Sequence, residues 1–277
     1  MNEKPTNSVT DTSKKNTGVF ARATKFWRML ATGLCFLCFM TGGVLLTLFV
    51  FPVLKILPIS RSRKMSVGLG IMRRCFALFM NIMQWLGPIR SFQVKGLEEI
   101  RGQGPFLFIA NHPALIDVVA ILSVLPQCNC IVKGTLFNNP FFGGVLRMAN
   151  YIPNRNAPEL MAHCEKSVRS GRSLMIFPEG TRSPEGGLGA FNRGAAQIAL
   201  RCQVPVVPIV VTCHPPTLMK GQSWYEIPDE PVQFTLAFQS PISILASCDS
   251  DKPFPVQVRA LNQRFQTYFK EKMGLAG

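Results

Sequence analysis

A single histidine follows a short apolar run in a position that suits a catalytic base. Residues 106–110 are typical of a strand, and Asn111, His112 and Pro113 follow them. Because Pro113 has a fixed φ and no N–H, it suits the first position of a helix, which we predict over residues 114–125. Asp117 then lies near enough to hydrogen-bond one ring nitrogen of His112 and leave the other free to accept a proton. A surface histidine near a helix start would give the same local pattern.

A second polar turn follows another apolar run, at residues 174–177. It contains Glu179, Gly180, Thr181 and Arg182. Gly180 would let the backbone approach a ligand closely, and the planar guanidinium of Arg182 suits a phosphate monoester. A structural ion pair between Glu179 and Arg182, capping the turn, is the alternative interpretation.

Taken together, the two turns resemble the glycerophospholipid acyltransferase family, the lysophosphatidic acid acyltransferases. The resemblance rests on an N-H-x4-D pattern at His112 and on F-P-E-G-T-R-S, whose glutamate lies 67 residues after the histidine. Two weaker blocks lie in the family's order, one running from Lys133 to Arg155 and one at residues 204–209. The resemblance covers roughly residues 91–240.

The resemblance implies acyl transfer from a thioester, carried by acyl carrier protein or coenzyme A, to a lysophospholipid hydroxyl. The expected acceptor is 1-acyl-glycerol-3-phosphate, which would give phosphatidic acid. His112 would be the base and Asp117 would orient it, with oxyanion donors expected among backbone N–H groups at the helix starts. No other cofactor and no metal are expected. Acceptor binding is assigned to Glu179, Gly180, Thr181, Arg182 and Arg155, and supporting roles to Asn111, Lys133 and Arg193.

Two departures from the family pattern leave the acceptor open. Residues 191–194 read F-N-R-G where the family often has F-K-x-G, although Arg193 can supply the positive charge. Residues 152–155 read I-P-N-R where I-D-R is commoner. An acyltransferase for another lipid, of the lyso-ornithine-lipid or polyene type, is therefore an alternative, and a non-enzymatic basic membrane adaptor is a second. A zinc hydrolase is disfavoured, because the three histidines form no H-E-x-x-H motif.

Composition and charge indicate a membrane protein. Hydrophobic residues make up 47% of the 277 residues, and the net charge is +15. The first 100 residues hold 14 lysines and arginines against four acids. A basic and apolar N-terminal third favours an anionic membrane surface over nucleic acid as the partner. Nine cysteines without a zinc-like pairing are typical of reduced thiols in a cytosol-facing chain, so we expect the catalytic domain on the cytoplasmic face of the cell membrane.

Three regions are predicted along the chain. Residues 1–25 form a disordered basic tail, residues 26–90 a membrane-anchoring helical segment, and residues 91–277 the acyltransferase domain. Residues 29–54 carry no charge and are long enough to span a bilayer, although Gly42, Gly43 and Pro52 could bend them. Arg73 and Arg74 interrupt the second apolar stretch. The anchor is therefore either one spanning helix or two helices that enter a single leaflet.

The alternation of apolar runs with helical patterns after residue 90 predicts an α/β domain, with a mixed central sheet flanked by helices. The predicted strands are residues 91–94, 106–110, 129–133, 174–177, 206–211 and 232–238. The predicted helices are residues 114–125, 158–170, 194–201 and 255–272.

Overall fold

The structure, a computed structural model, describes residues 9–244 and 251–275, and for residues 9–20 the backbone alone. The strands in this part of the chain are β1 (Ile89–Lys95), β2 (Leu107–Ala110), β3 (Cys128–Lys133), β4 (Ile152–Asn154), β5 (Ser173–Ile176), β6 (Val206–His214) and β7 (Val232–Phe238). The α-helices are α1 (Val9–Leu45), α2 (Phe51–Ile56), α3 (Arg61–Trp85), α4 (Asp117–Val124), α5 (Gly143–Met148), α6 (Ala157–Arg169), α7 (Gly194–Cys202) and α8 (Phe254–Lys272).

The seven strands form one mixed sheet in the order β1-β7-β6-β2-β5-β3-β4. All neighbours are parallel except β6 and β7, which are antiparallel. Each of the six predicted strands is present in this sheet, and the predicted fold class is confirmed. The seventh strand, β4, was not predicted, because three residues centred on Pro153 show no alternation of apolar and polar side chains.

Helices cover both faces of the sheet, so each face buries its own hydrophobic cluster. One cluster joins the sheet to α3 and α4 through residues such as Met80, Ile121 and Phe234. The other joins it to α6, α7 and α8 through Ile198 and Phe265. Side chains of both clusters are almost inaccessible to solvent, which is what a largely parallel sheet with helices on both sides requires.

The N-terminal helices form a hairpin with apolar exposed surfaces. Two helical stretches are long and apolar enough to cross a membrane, Ala21–Ile56 and Arg61–Trp85, and they are 11% and 33% buried. The first passes straight through Gly42 and Gly43. It widens into a π-turn at Leu46–Val50, just before α2, whose second residue, Pro52, has no N–H to donate to the preceding turn.

The predicted disordered tail differs from the structure. Residues 1–8 lie outside the described part, but α1 already begins at Val9, so residues 9–25 are helical. Once the apolar segment has nucleated a helix, each added residue costs little, and no proline lies between Val9 and Leu45 to stop the growth towards the N-terminus.

The hairpin packs along the catalytic domain. A Cβ at Gly43 would lie 2.8 Å from the Phe141 carbonyl oxygen, and a Cβ at Gly144 would overlap Thr47. At the turn of the hairpin, the buried Arg172 donates hydrogen bonds to Ser62. The first hydrophobic cluster continues from the domain into α1 and α3. The hairpin therefore shares its core with the domain, whose predicted boundary is at residue 90.

Phe265→Ala should lower the free energy of unfolding by about 3–5 kcal/mol, because the side chain is fully buried between α8 and the sheet. Phe254→Ala in the same helix is the control, since that ring is 39% exposed and its loss should cost far less. Urea unfolding in detergent, followed by circular dichroism, measures both values. Equal losses would show that α8 does not belong to the core.

Candidate active site

The predicted site residues lie at one edge of the sheet because their strands are adjacent and parallel. Leu107 pairs with Leu174 and Ile109 with Ile176, so β2 and β5 end side by side. The turns that follow them carry His112 and the Glu-Gly-Thr-Arg segment. The carboxyl edge of a parallel sheet is where α/β proteins place ligands, and the register brings the two predicted turns together there.

His112 and Asp117 are in direct contact. The Nδ1 of His112 lies 2.7 Å from Oδ2 of Asp117, and the side chains are 16% and 0% exposed. The imidazole also stacks on the ring of Phe177, with centroids 4.2 Å apart. A carboxylate at Nδ1 favours the tautomer with its proton on Nδ1 and leaves the Nε2 lone pair free to accept one. The arrangement is therefore that of an oriented general base.

The helix after the histidine begins later than predicted. Helix α4 starts at Asp117, and Pro113 lies in the preceding turn, so the prediction that Pro113 occupies the first helical position is wrong. The reason is the Asp117 carboxylate, whose Oδ2 also accepts the backbone N–H of Ala114 at 2.8 Å. This bond closes residues 114–117 into a turn that holds the carboxylate against His112.

Burial changes the acidity of Asp117. Loss of hydration raises the pKa of its carboxyl group to about 6, although the hydrogen bonds from His112 and from the Ala114 amide act in the opposite direction. Its Oδ1 has no hydrogen-bond partner among the described residues. The carboxylate is therefore held in its charged form at neutral pH mainly by the contact with His112.

Glu179 fastens the two turns to each other. Its Oε1 accepts the backbone N–H of His112 at 3.1 Å and the Ser183 hydroxyl at 2.6 Å. Its Oε2 accepts the N–H of Gly189 at 2.7 Å, and the side chain is buried. The Ser183 amide returns a hydrogen bond to the His112 carbonyl. Because the chain itself engages the carboxylate, a positioning role fits Glu179 better than the predicted contact with acceptor.

Gly180 and Arg182 shape the rest of this turn. Gly180 has φ +69°, a left-handed conformation that favours glycine, and it is exposed like Thr181. Arg182 is half-buried, and its Nη1 donates to the carbonyl oxygens of Leu218 and Met219 at 2.8 and 2.7 Å. The ion pair with Glu179, which was the alternative interpretation, is absent among the described residues. The two bonds to carbonyl oxygens use Nη1 only, so Nη2 and Nε of Arg182 are not needed for them.

The other predicted residues lie around this centre. Asn111 is buried and exchanges two hydrogen bonds with the Val211 backbone, which ties the end of β2 to β6. Lys133 and Arg155 line a separate cavity after β3 and β4, where Arg155 donates to the Gly134 carbonyl. Strand spacing puts them about 10–14 Å from β2 along the sheet edge. Arg193 is exposed immediately before α7.

Three backbone N–H groups in the turn after β2 are already engaged. Those of His112, Ala114 and Leu115 donate within the protein, and Pro113 has none. Oxyanion donors among the amides of the helix starts stay a prediction. Sequence reasoning also missed Ser183, Phe177 and the Leu218 carbonyl, whose roles arise from long-range contacts that spacing along the chain does not reveal.

Comparisons with known proteins agree with the predicted resemblance. A family model described as Acyltransferase matches residues 91–212. A chloroplastic 1-acyl-sn-glycerol-3-phosphate acyltransferase of Brassica napus is 33% identical over 45% of this chain and 38% of its own length. The human beta form is 33% identical over 47% and 52%. A Pseudomonas aeruginosa protein of the same name is 26% identical over 66% and 68%.

The fold agrees as well. The crystal structure of the 1-acyl-sn-glycerophosphate acyltransferase of Thermotoga maritima superposes with a TM-score of 0.64, at 20% identity, over 90% of this chain and 98% of that one. The chain spans about half or less of the length of the first curated relatives that it matches. The predicted resemblance is confirmed: residues 91–212 match the acyltransferase family model, and the chain is similar to 1-acyl-sn-glycerol-3-phosphate acyltransferases.

Proposed function

We propose that this protein transfers an acyl group from a thioester to the free hydroxyl of 1-acyl-sn-glycerol-3-phosphate, giving phosphatidic acid. The observation that carries the proposal is the 2.7 Å contact between His112 Nδ1 and the buried Asp117 carboxylate. Relatives named for this reaction support the choice of substrate. The donor is a thioester of acyl carrier protein or coenzyme A.

The geometry supports a direct transfer. Nε2 of His112 takes the proton of the acceptor hydroxyl while its oxygen attacks the thioester carbonyl. The tetrahedral intermediate then expels the thiolate, which takes the proton from the imidazolium, so that an ester and a thiol leave. Asp117 stabilises the imidazolium between the two steps. We assign the acceptor phosphate to the remaining donors of Arg182, because a guanidinium can give a phosphate two parallel hydrogen bonds.

We also propose that α1–α3 form a monotopic anchor on the cytoplasmic face of the cell membrane. The domain contacts α1 from Lys25 to Thr47, which is about 33 Å of helix and as long as the ~30 Å hydrocarbon layer is thick. An upright hairpin would draw α5, which packs against α1 at Gly144 and carries Arg147, into hydrocarbon. A hairpin that lies within one leaflet avoids that cost.

The proposed mechanism predicts that His112→Ala lowers thiol release by at least 10²-fold, because base catalysis contributes about 10²–10⁴-fold. His163→Ala is the control, since that histidine is exposed on α6 and should leave the rate unchanged. The measurement is thiol release from each thioester donor, in vesicles that contain the acceptor. Near-normal turnover by folded His112→Ala protein would exclude the mechanism.

Asp117→Asn should lose activity and gain stability at neutral pH. The pKa of Asp117, about 6, exceeds its ordinary value of 3.8, so between these values the folded state binds more protons than the unfolded state. The wild type is therefore stabilised as pH falls from about 6 towards 4, and the advantage of the asparagine variant should shrink over that range. Unfolding midpoints of both proteins from pH 4 to pH 8 test this, and a constant difference would contradict it.

Arg182→Ala should raise the KM for a phosphate-bearing acceptor about tenfold or more and affect a phosphate-free acceptor less. Lysine should rescue it only in part, because a point charge cannot reproduce two parallel hydrogen bonds. Lys220→Ala removes an exposed charge nearby and is the control. Equal losses with both acceptors would mean that Arg182 acts through its bonds to Leu218 and Met219 alone.

A further inference from the structure

The three tryptophans of the chain are all exposed, on three different segments. Trp27 lies on α1, Trp85 is the last residue of α3, and Trp224 lies in the loop between β6 and β7. Their exposed fractions are 53%, 84% and 48%. A large aromatic side chain is seldom left in water, so three exposed indoles suggest a common partner.

The three indoles gather at one place on α1. The Nε1 of Trp27 donates to the Leu86 carbonyl at 2.9 Å, next to Trp85. The ring of Trp224 lies over Gly33, where an added Cβ would be 3.0 Å from its Cζ3 atom. Trp27 and Gly33 are six residues apart, which is about 9 Å of helix. The indoles therefore lie along one short stretch of α1, with the exposed Leu30 between their positions, although their segments are distant in sequence.

Residues 215–231, here called the aromatic loop, are bound to α1, but α1 does not cover their aromatic side chains. Lys25 Nζ is 2.6 Å from an Asp229 carboxylate oxygen, and Arg28 Nη2 donates to the Asp229 carbonyl at 2.6 Å. Tyr225 packs edge-on against Trp224 with ring centroids 5.7 Å apart, and both side chains are exposed. These contacts hold the backbone of the loop and leave its aromatic face open.

We propose that the aromatic loop is a membrane-binding element, in which Trp224 and Tyr225 bind the headgroup region of a phospholipid bilayer beside Trp27 and Trp85. The inference rests on the proposed membrane location of α1. A bilayer is the occupant that fits, because the patch continues into exposed leucines on α1, Leu30, Leu34 and Leu37. Tryptophan and tyrosine concentrate at membrane interfaces, where the ring is apolar and the N–H or O–H remains hydrated.

The loop also connects the membrane to the site. The carbonyls of Leu218 and Met219 hold Arg182, and the Leu218 carbonyl accepts the N–H of Leu115, in the turn after His112. Lipid contact at Trp224 therefore places Arg182 close to headgroup level, where an acceptor phosphate lies.

Variants that retain a single tryptophan, with the other two changed to phenylalanine, test the loop directly. They are bound to vesicles of phosphatidylcholine and phosphatidylglycerol whose lipids are brominated near the headgroup or near the chain end. We expect Trp224 to be quenched more strongly by the shallow bromines, and we expect the same of Trp27 and Trp85. The control is Phe254→Trp in a tryptophan-free chain, an exposed position on α8 that should remain unquenched. Retained thiol release in detergent establishes that each variant is folded.

The outcomes separate the two proposals. A quenched Trp27 with an unquenched Trp224 overturns the aromatic loop and leaves the anchor intact, whereas no quenching at either position overturns both. Emission from Trp224 that shifts with protein concentration, without lipid, would identify a second copy of the chain as the occupant and also overturn the inference.

A second variant, Trp224→Ala in the otherwise unchanged chain, measures the contribution of the contact. It should weaken vesicle binding about tenfold, because the apolar surface of the indole is no longer removed from water when the protein binds. Turnover of a soluble short-chain acceptor should be unchanged. Unaltered vesicle binding would contradict the proposal, because Phe254→Ala provides the baseline for losing an exposed aromatic side chain elsewhere.

Discussion

The buried negative charge of Asp117 is the constraint around which the site is built. A carboxylate without water is costly unless hydrogen bonds replace its hydration, and here the donors are the imidazole of His112 and the amide of Ala114. Both donors are within reach only if the chain turns back directly after β2. Helix α4 therefore begins at the aspartate, and His112 is held by one nitrogen with the other left for chemistry.

A second buried carboxylate, in the turn after the adjacent strand β5, is likewise stabilised by hydrogen bonds from the protein. Glu179 accepts hydrogen bonds from the His112 amide and from Ser183, whose own amide returns to the His112 carbonyl. The two turns are thus joined by hydrogen bonds in both directions. These bonds can form only while β2 and β5 keep their register. Arg182 is the cationic group on these two turns, and its Nη1 donates to the Leu218 and Met219 carbonyls, so its other donors are left for a ligand.

Local patterns determined what could be predicted from the sequence. The six predicted strands are apolar runs, and the spacing of His112 and Asp117 was enough to predict their contact. The misses have different causes. Ser183 and Phe177 act through contacts with His112, which is 71 and 65 positions away in the sequence. Pro113 does not begin α4, because the hydrogen bond from the Ala114 amide to Asp117 delays the helix start. Strand β4 is too short to show a period.

The strand order gives His112 access from two directions, which the proposed reaction needs because its acceptor comes from the membrane and its donor from water. His112 follows β2, near the middle of the sheet. On one side, beyond β6, the aromatic loop and α1 form an apolar wall suited to a lipid. On the other side, beyond β5, Lys133 and Arg155 line a basic cavity. In the proposed reaction, a lipid acceptor would approach Nε2 from the side of the aromatic loop, and the other end of the same edge stays open to a donor arriving from water.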